Sequence, residues 1–398
     1  MPSRTPNFVS LFSGCGGFDL GFVQAGFRCA GAFDIEEDVV KTHRLNFRSD
    51  SDVLDLAHSA PECESLCRLD AVIAGPPCQG FSTAGKRDPK DPRNTLLVRA
   101  AQIAVRLKPK VVLIENVAGV VSGPQRTFWD SMLRVLRSAD YRVAEIRCDA
   151  SKMGVPQRRK RVVAIGWNVQ KDELAIALPE RNSGTLRDAL ACLKDTPNHA
   201  PKHLDPKSRA GIIARHIGPN QKLCNVRASE RSVHTWEIPE VFGNTSQVER
   251  LVLSAMLLRR RQKRVRDFGD ADPVTARDIQ QFLGQPVAAV LHKLVQKGYV
   301  RRLGHFYDLV HTFNGKFRRL SWHEPAPTVD TRYGDPYYFL HPKEHRALTV
   351  REAARVQGFP DTFTFCGSER SQYRMIGNAV PPPLAKCLAA FVLQNIIQ

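Results

Sequence analysis

Short apolar runs that alternate with helix-patterned segments constrain this chain more than any other feature of it. The runs cover residues 7–12, 29–33, 51–54, 71–74, 111–114 and 161–166, and helical periodicity fills segments 18–23, 38–47, 96–107 and 128–138 between them. Runs this short suit strands covered on both faces. The order therefore predicts an α/β fold built on a doubly wound, mostly parallel sheet. Ligands of such sheets collect beyond the carboxyl ends of the strands, so the polar residues that close each run are the first candidates for chemistry.

Six polar features at the ends of these runs stand out. After the first run comes Ser13-Gly14-Cys15-Gly16-Gly17, where glycines let backbone N–H groups approach a ligand at a helix start; a tight turn alone would also need them. The second run ends in Asp34, about 20 positions on, which suits a ribose hydroxyl or a plain helix cap. Asp52 falls where a third strand would end. Gly75-Pro76-Pro77-Cys78-Gln79-Gly80 sets a cysteine on a loop that two prolines keep out of helix. Glu115 closes the run 111–114 at the same edge, and burial there would raise its proton affinity. Finally, Gln157-Arg158-Arg159-Lys160-Arg161 leads into a strand, whose alternation aims Arg159 and Arg161 to one side. The glycines do not follow the G-x-G-x-x-G spacing of dinucleotide-binding dehydrogenases.

Taken together, these residues carry a resemblance. Phe12-Ser13-Gly14-Cys15-Gly16-Gly17, Gly75-Pro76-Pro77-Cys78-Gln79, Arg93-Asn94-x-Leu96, Glu115-Asn116-Val117, Gln157-x-Arg159-x-Arg161, the stretch 348–360 and Gly377-Asn378-Ala379-Val380-Pro381 follow one another as in the DNA (cytosine-5) methyltransferases. The chain resembles that family over roughly 60% of its length. The resemblance implies S-adenosyl-L-methionine as cofactor and an S-adenosylmethionine-dependent methyltransferase fold. It makes Cys78 the nucleophile that adds to C6 of a flipped cytosine, Glu115 the group that hydrogen-bonds or protonates N3, and Arg161 with Arg159 the holders of O2. For the cofactor it implies Phe12, Ser13, Gly14, Gly16 and Gly17 on the methionine side, Asp34 at the ribose and Ile35 against adenine. Asp52 and Val53 would meet the adenine, with Pro76, Asn378 and Val380 completing the site. Asp34 stands where a glutamate is more usual, one methylene shorter, and Glu36 is close enough to share its role.

The resemblance also divides the chain: a catalytic cofactor-binding domain at 1–175, a target-recognition domain at 176–345, and a segment 346–398 that returns to the catalytic domain. The net charge of +18 calls for a polyanionic partner, and residues 256–320 hold 14 Lys/Arg against 5 Asp/Glu, half of that net charge. Within 245–312 the sequence predicts a winged helix. One helix covers 273–283, a second covers 286–297 after Gly284, and two strands follow around Gly304-His305. The basic run Arg259 to Arg266 before it offers phosphate contacts, or is simply a solvated helix end. The module would touch DNA or serve a structural or protein-binding role.

No apolar run of bilayer length and no signal-peptide pattern is read in the sequence, so an intracellular, cytoplasmic enzyme is expected, with no membrane partner. Ten scattered cysteines are expected as thiols. Only Cys63 and Cys67 lie close together and no second Cys/His pair accompanies them, so no metal is expected. The expected partner is double-stranded DNA, with a cognate restriction endonuclease and monomeric action as further expectations. An RNA cytosine-5 methyltransferase is the nearest rival, though the Cys-Phe-Thr tripeptide usual in such relatives is absent. A noncatalytic DNA-binding regulator is the rival from another class.

Overall fold

The computed structural model describes residues 4–62, 68–78, 80–81, 88, 90–169, 174–193, 196–265 and 271–398. Cys63, Cys67 and Gln79 lie outside them. The chain divides into two compact units, one formed by 1–200, 323–332 and 350–398, the other by 201–322 and 333–349.

The first unit is built on a seven-stranded sheet. Its strands are β1 (Asn7–Leu11), β2 (Arg28–Asp34), β3 (Ser51–Val53), β4 (Ala71–Ala74), β5 (Val111–Val117), β6 (Arg142–Asp149) and β8 (Lys160–Trp167), in the order β3-β2-β1-β4-β5-β8-β6. The short β7 (Gln157–Arg158) pairs outside it with β15 (Ala326–Pro327). The β1, β4 and β5 runs are buried along their length, as strands covered on both faces must be, and only β8 runs antiparallel to its neighbours. Helices α1 (Gly17–Gln24), α2 (Glu37–Asn46), α3 (Leu96–Leu107) and α4 (Arg126–Arg137) make the crossovers, and the short α5 (Leu186–Ala189) follows β8. This is the S-adenosylmethionine-dependent methyltransferase fold. Val72, Ile114 and Ala164 pack with α3 and α4 on one face, while Phe8, Ile73 and Val163 pack with α1 and the carboxyl-terminal helix on the other.

A buried polar chain fixes α1 and α2. Asp19 accepts from Ser10 Oγ and faces His43 Nε2 at 3.0 Å, and His43 Nδ1 faces Ser51 Oγ at 2.7 Å. Each buried polar group thus has a partner, which such burial requires.

The second unit carries α6 (Arg209–His216), β9 (Lys222–Leu223), β10 (Ser232–Val233), α7 (Pro239–Phe242), α8 (Gln247–Gln262), β11 (Val274–Thr275), α9 (Ala276–Leu283), α10 (Ala288–Gln296), β12 (Val300–Leu303) and β13 (Phe306–Leu309). Strands β14 (Arg318–Arg319) and β16 (Phe339–Leu340) pair in parallel. From α8 onward the order is helix, strand, helix, helix, strand, strand, and β11, β13 and β12 form one antiparallel sheet. Leu253, Met256, Ile279, Leu291, Leu294 and Tyr299 make its core.

The chain then returns to the first unit through α11 (Val350–Gln357), α12 (Glu369–Asn378) and α13 (Pro382–Val392). The stretch Glu369–Ile397 corrects the sequence reading of apolar runs, because it is long and apolar enough to cross a bilayer by length and composition. Its most apolar part is mostly buried inside the protein, and the stretch is divided between α12 and α13, with α13 packed along α1. Its apolarity is that of a core helix.

Candidate active site

At the carboxyl edge of the sheet one cavity gathers residues that lie up to 370 positions apart in sequence. Phe12, Ser13, Gly14, Asp34, Ile35, Pro76, Cys78, Glu115, Arg159, Arg161, Asn378 and Val380 all line it. Strand register explains the polar group. Ala74 of β4 is level with Ile114 of β5, so Glu115 stands one residue past the end of β4, where the Pro-Pro-Cys loop begins. Across the antiparallel β5–β8 pair, Val117 faces Arg161 and Glu115 faces Val163, which makes Glu115 and Arg161 diagonal neighbours on one face. Arg161 Nε lies 2.8 Å from Glu115 Oε1, with both side chains at least nine-tenths buried.

Asn116, next to the acid, explains how the cysteine loop is held. Its Nδ2 donates to the Pro76 carbonyl at 3.3 Å while its Oδ1 accepts from Val117 N–H. Asn94 supports the same loop, donating to the Asp88 carbonyl at 3.0 Å. A side chain at Gly80 would overlap it, since a Cβ there would lie 2.0 Å from Asn94 Oδ1.

Burial pushes the Cys78 thiol above its ordinary range; the Arg161 guanidinium counters this, Glu115 reinforces it and Arg159 again counters it. Burial also raises the Glu115 carboxyl, against the pull of Arg161 and Arg159. Cys15, Cys29 and Cys148 are buried thiols too, with Cys29 and Cys148 pushed up to about 12, but none of them lines the cavity. Cys78 is the cysteine that meets an acid and two guanidinium groups.

Arg159 lines the cavity with Arg161, but most of its hydrogen bonds go to backbone. Its guanidinium, 1% exposed, donates to the carbonyls of Val329 at 2.9 Å, Gly377 at 3.1 Å and Ala379 at 2.8 Å. Gln157 and Gln357 extend this clasp: Gln157 Oε1 accepts from Val329 N–H at 2.9 Å, and Gln357 Nε2 donates to the Ala379 carbonyl at 2.6 Å. Together they hold the segment that presents Asn378 and Val380 to the cavity. The alternation in β8 does put both arginines on one side; the terminal nitrogens of Arg159 are engaged by backbone carbonyls, while its Nε, also buried, has no partner among the described residues.

The glycine loop also divides its labour. Gly14 has φ +56° with open space where a Cβ would stand, so a ligand can approach it closely, and Phe12 before it also takes a left-handed φ of 52°. Gly16 and Gly17 face inward instead. A Cβ on Gly16 would lie 2.3 Å from the Phe47 ring, and one on Gly17 2.4 Å from the Val380 carbonyl. Neither lines the cavity.

Asp34, level with the loop, accepts from Gly14 N–H at 2.9 Å and from Glu36 N–H at 3.1 Å, one bond on each oxygen. Burial raises its carboxyl. Glu36 lines the cavity as well and pairs with Arg374 of α12, a residue the sequence reading missed. Asp52 and Val53 are a second correction. β3 ends at Val53, so Asp52 lies within the strand, exposed and 2.9 Å from Arg44, and neither residue lines the cavity. The next residues, Leu54, Asp55, Leu56 and Ala57, line it instead.

The donor set fits S-adenosylmethionine. An acid pair, Asp34 and Glu36, marks a ribose position beside the open Gly14 loop, and Ile35, 59% exposed, offers a flat apolar contact between them.

Comparison with known proteins agrees with this arrangement. The family model described as C-5 cytosine-specific DNA methylase matches residues 6–394. The chain is 31% identical to the type II methyltransferase M1.HphI of Haemophilus parahaemolyticus, over 97% of this chain and 86% of that one. It is 30% identical to the type II methyltransferase M.AgeI of Thalassovita gelatinovora, over 96% and 97%. A crystal structure of a DNA modification methyltransferase encoded within a prophage of E. coli aligns with a TM-score of 0.60 and 25% identity, covering 98% of this chain and 99% of that one.

Proposed function

The chain belongs to the C-5 cytosine-specific DNA methylase family and is a DNA (cytosine-5-)-methyltransferase that uses S-adenosylmethionine; from this premise we propose how its own residues carry the reaction. The observation behind the assignment of roles is the meeting of Cys78, Glu115 and Arg161 in one cavity with the Gly14 loop and Asp34. A cytosine cannot reach that cavity from a stacked duplex, so the target nucleotide is flipped out to enter it.

In this reading the Cys78 thiolate forms a bond to C6. The C5–C6 double-bond pair shifts to C4–C5 and the C4–N3 pair to N3, which takes the proton that Glu115 holds through burial. Bound S-adenosylmethionine would supply the methyl group that C5 then takes. N3 returns its proton to Glu115, and loss of the C5 proton to water restores the C5–C6 double bond and expels the Cys78 sulfur as thiolate. Arg161 has three tasks: it orients Glu115, it lowers the thiol's proton affinity, and its remaining N–H donors face the developing charge at O2. Arg159 is a positioning residue, keeping Asn378 and Val380 at the cofactor.

The second unit, 201–322 with 333–349, is read as the target-recognition domain, and the module from α8 to β13 as a winged helix within it. The strand and helix order and the three-stranded antiparallel sheet support that reading. The type II relatives support a modification role beside a cognate endonuclease. We take the enzyme to act as a monomer in the cytoplasm.

Bisulfite sequencing of DNA from cells expressing the intact protein, beside cells expressing Cys78→Ala, tests the function. Methylcytosine at a fixed sequence is expected with the intact protein only. Methylation that persists in Cys78→Ala would remove Cys78 from the mechanism, and its absence from DNA in both cultures would move the substrate to RNA.

A further inference from the structure

The basic run Arg259 to Arg264 is largely consumed within the fold. Arg260 is buried against Asp308 at 2.6 Å, Arg259 lies over the Phe282 ring at 5.6 Å, and Lys263 pairs with Asp278. The module's acids are consumed with it. Asp308 is 2% exposed and also binds Arg301 at 2.6 Å; Asp278 caps α9 through Thr275; Asp272 accepts from Val265 N–H at 2.7 Å. Among the described residues from 271 to 312 no other acid is present. Among the described residues of 271–312, the surface left to solvent therefore carries cations without anions between them.

Those cations are ordered. On α10 the exposed residues Ala288, Ala289, His292, Lys293 and Gln296 recur with the helical period, opposite the buried Val287, Leu291 and Leu294. Two alanines open the exposed face, so its first turn can come close to a partner, and a polar pair follows, with Gln296 Nε2 3.0 Å from His292 Nε2. Arg277 is exposed on α9, and Arg302 is exposed on the β12–β13 hairpin, with one bond to the Gly304 carbonyl. Leu303 and Phe306 face each other at the hairpin tip, 43% and 48% exposed.

We propose that this face is a duplex-DNA-binding surface in its own right, with the exposed side of α10 entering the major groove while Arg277, Lys293 and Arg302 hold phosphates beside it. Charge complementarity commits it to a polyanion, and the helix width and small leading residues commit it to a groove. The apolar hairpin tip suits contact with sugar or with an opened base step. The proposal rests on the DNA-methylating reading for its substrate, while its evidence is the charge pattern of the module.

The test is fluorescence anisotropy of the full chain on a duplex that holds its methylation site, at several salt concentrations, with methylation of that duplex measured in parallel. The slope of log K against log salt is expected to become shallower by about 0.9 for each of Arg277→Ala, Lys293→Ala and Arg302→Ala, and by about 2.7 for the triple variant. Arg137→Ala, an exposed arginine on α4, should leave the slope unchanged. All three positions are exposed, so folding of the variants is expected and is checked by circular dichroism. A triple variant that keeps the parent slope while the parent methylates the duplex overturns the surface alone. A parent that binds the duplex without methylating it overturns the functional reading and leaves the surface standing. Affinity for a protein ligand lost in the triple variant, with DNA binding intact, would assign the face to protein.

Discussion

Arg159→Lys separates a clasp from a base-binding role. The guanidinium makes three hydrogen bonds to backbone carbonyls, at Val329, Gly377 and Ala379, from a position with no solvent to replace them. Lysine keeps the charge, but its compact ammonium on a differently shaped stem cannot span carbonyls that a planar fork reaches from two nitrogens. If one bond survives, two bonds to a charged donor are lost, each about 1.5–3 kcal/mol, so the local cost is roughly 3–6 kcal/mol. At 1.4 kcal/mol per decade, hydrogen exchange of the amides around Gly377–Val380 should accelerate by about 100- to 10,000-fold, up to the limit set by global unfolding. Affinity for S-adenosylhomocysteine should fall in the same variant, because Asn378 and Val380 line the cofactor cavity. Exchange and cofactor affinity like those of the parent, with methyl transfer abolished, would refute the clasp and put Arg159 on the base.

Three further outcomes follow from the site. The pH profile of Cys78 alkylation by iodoacetamide, with Cys78→Ala as background, should move to higher pH in Arg161→Ala and to lower pH in Glu115→Gln, since the arginine favours the thiolate and the carboxylate opposes it; shifts of the opposite sign would show that the two groups do not act on the thiol. Glu36→Gln should weaken binding of S-adenosylhomocysteine by about 10-fold but leave its 2′,3′-dideoxy analogue unaffected, because the shorter Asp34 is drawn back onto Gly14 and Glu36 N–H groups; an equal loss for both ligands would deny Glu36 the ribose. Asn116→Ala should lower kcat by about 10-fold or more with little change in cofactor affinity, through loss of the bond to the Pro76 carbonyl, and an unchanged kcat would mean that the prolines fix the cysteine loop unaided.

The sheet was legible because its strands are buried on both faces, which leaves short continuous apolar runs with little room for another reading. Cys78, Glu115 and Arg161 were legible for the related reason that each follows or enters such a run. The misplacement of Asp52 marks where this logic stops. The run 51–54 does not reveal that β3 ends at Val53, and one or two residues at a strand's end decide whether a side chain lines the cavity or faces solvent. Arg374 could not have been found this way, because it comes from α12, whose place at the cavity is set by the packing of α13 along α1.

Charge shows the same limit more sharply. A count of lysines and arginines located the basic module, and the densest part of the run was the natural candidate for phosphate contact. Density is a poor guide where acids are also present, because folding selects pairs: Arg260 and Lys263 are distant in sequence from Asp308 and Asp278 and meet them only in the folded chain. What remains for a partner is the charge that found no counter-ion, and on this module, beside Arg261 in the run, that charge is sparse in sequence, at 277, 293 and 302. Removing an internal pair should therefore act on the fold before it acts on DNA. Asp308→Asn leaves Arg260 buried with a neutral partner, at a cost of about 3–5 kcal/mol, and should lower the melting temperature of the second unit, followed through its tryptophans Trp236 and Trp322. Arg302→Ala should weaken DNA binding without that loss. If Asp308→Asn melted like the parent, the pair would not be holding α8 to the hairpin, and Arg260 would return to the set of cations available to phosphate.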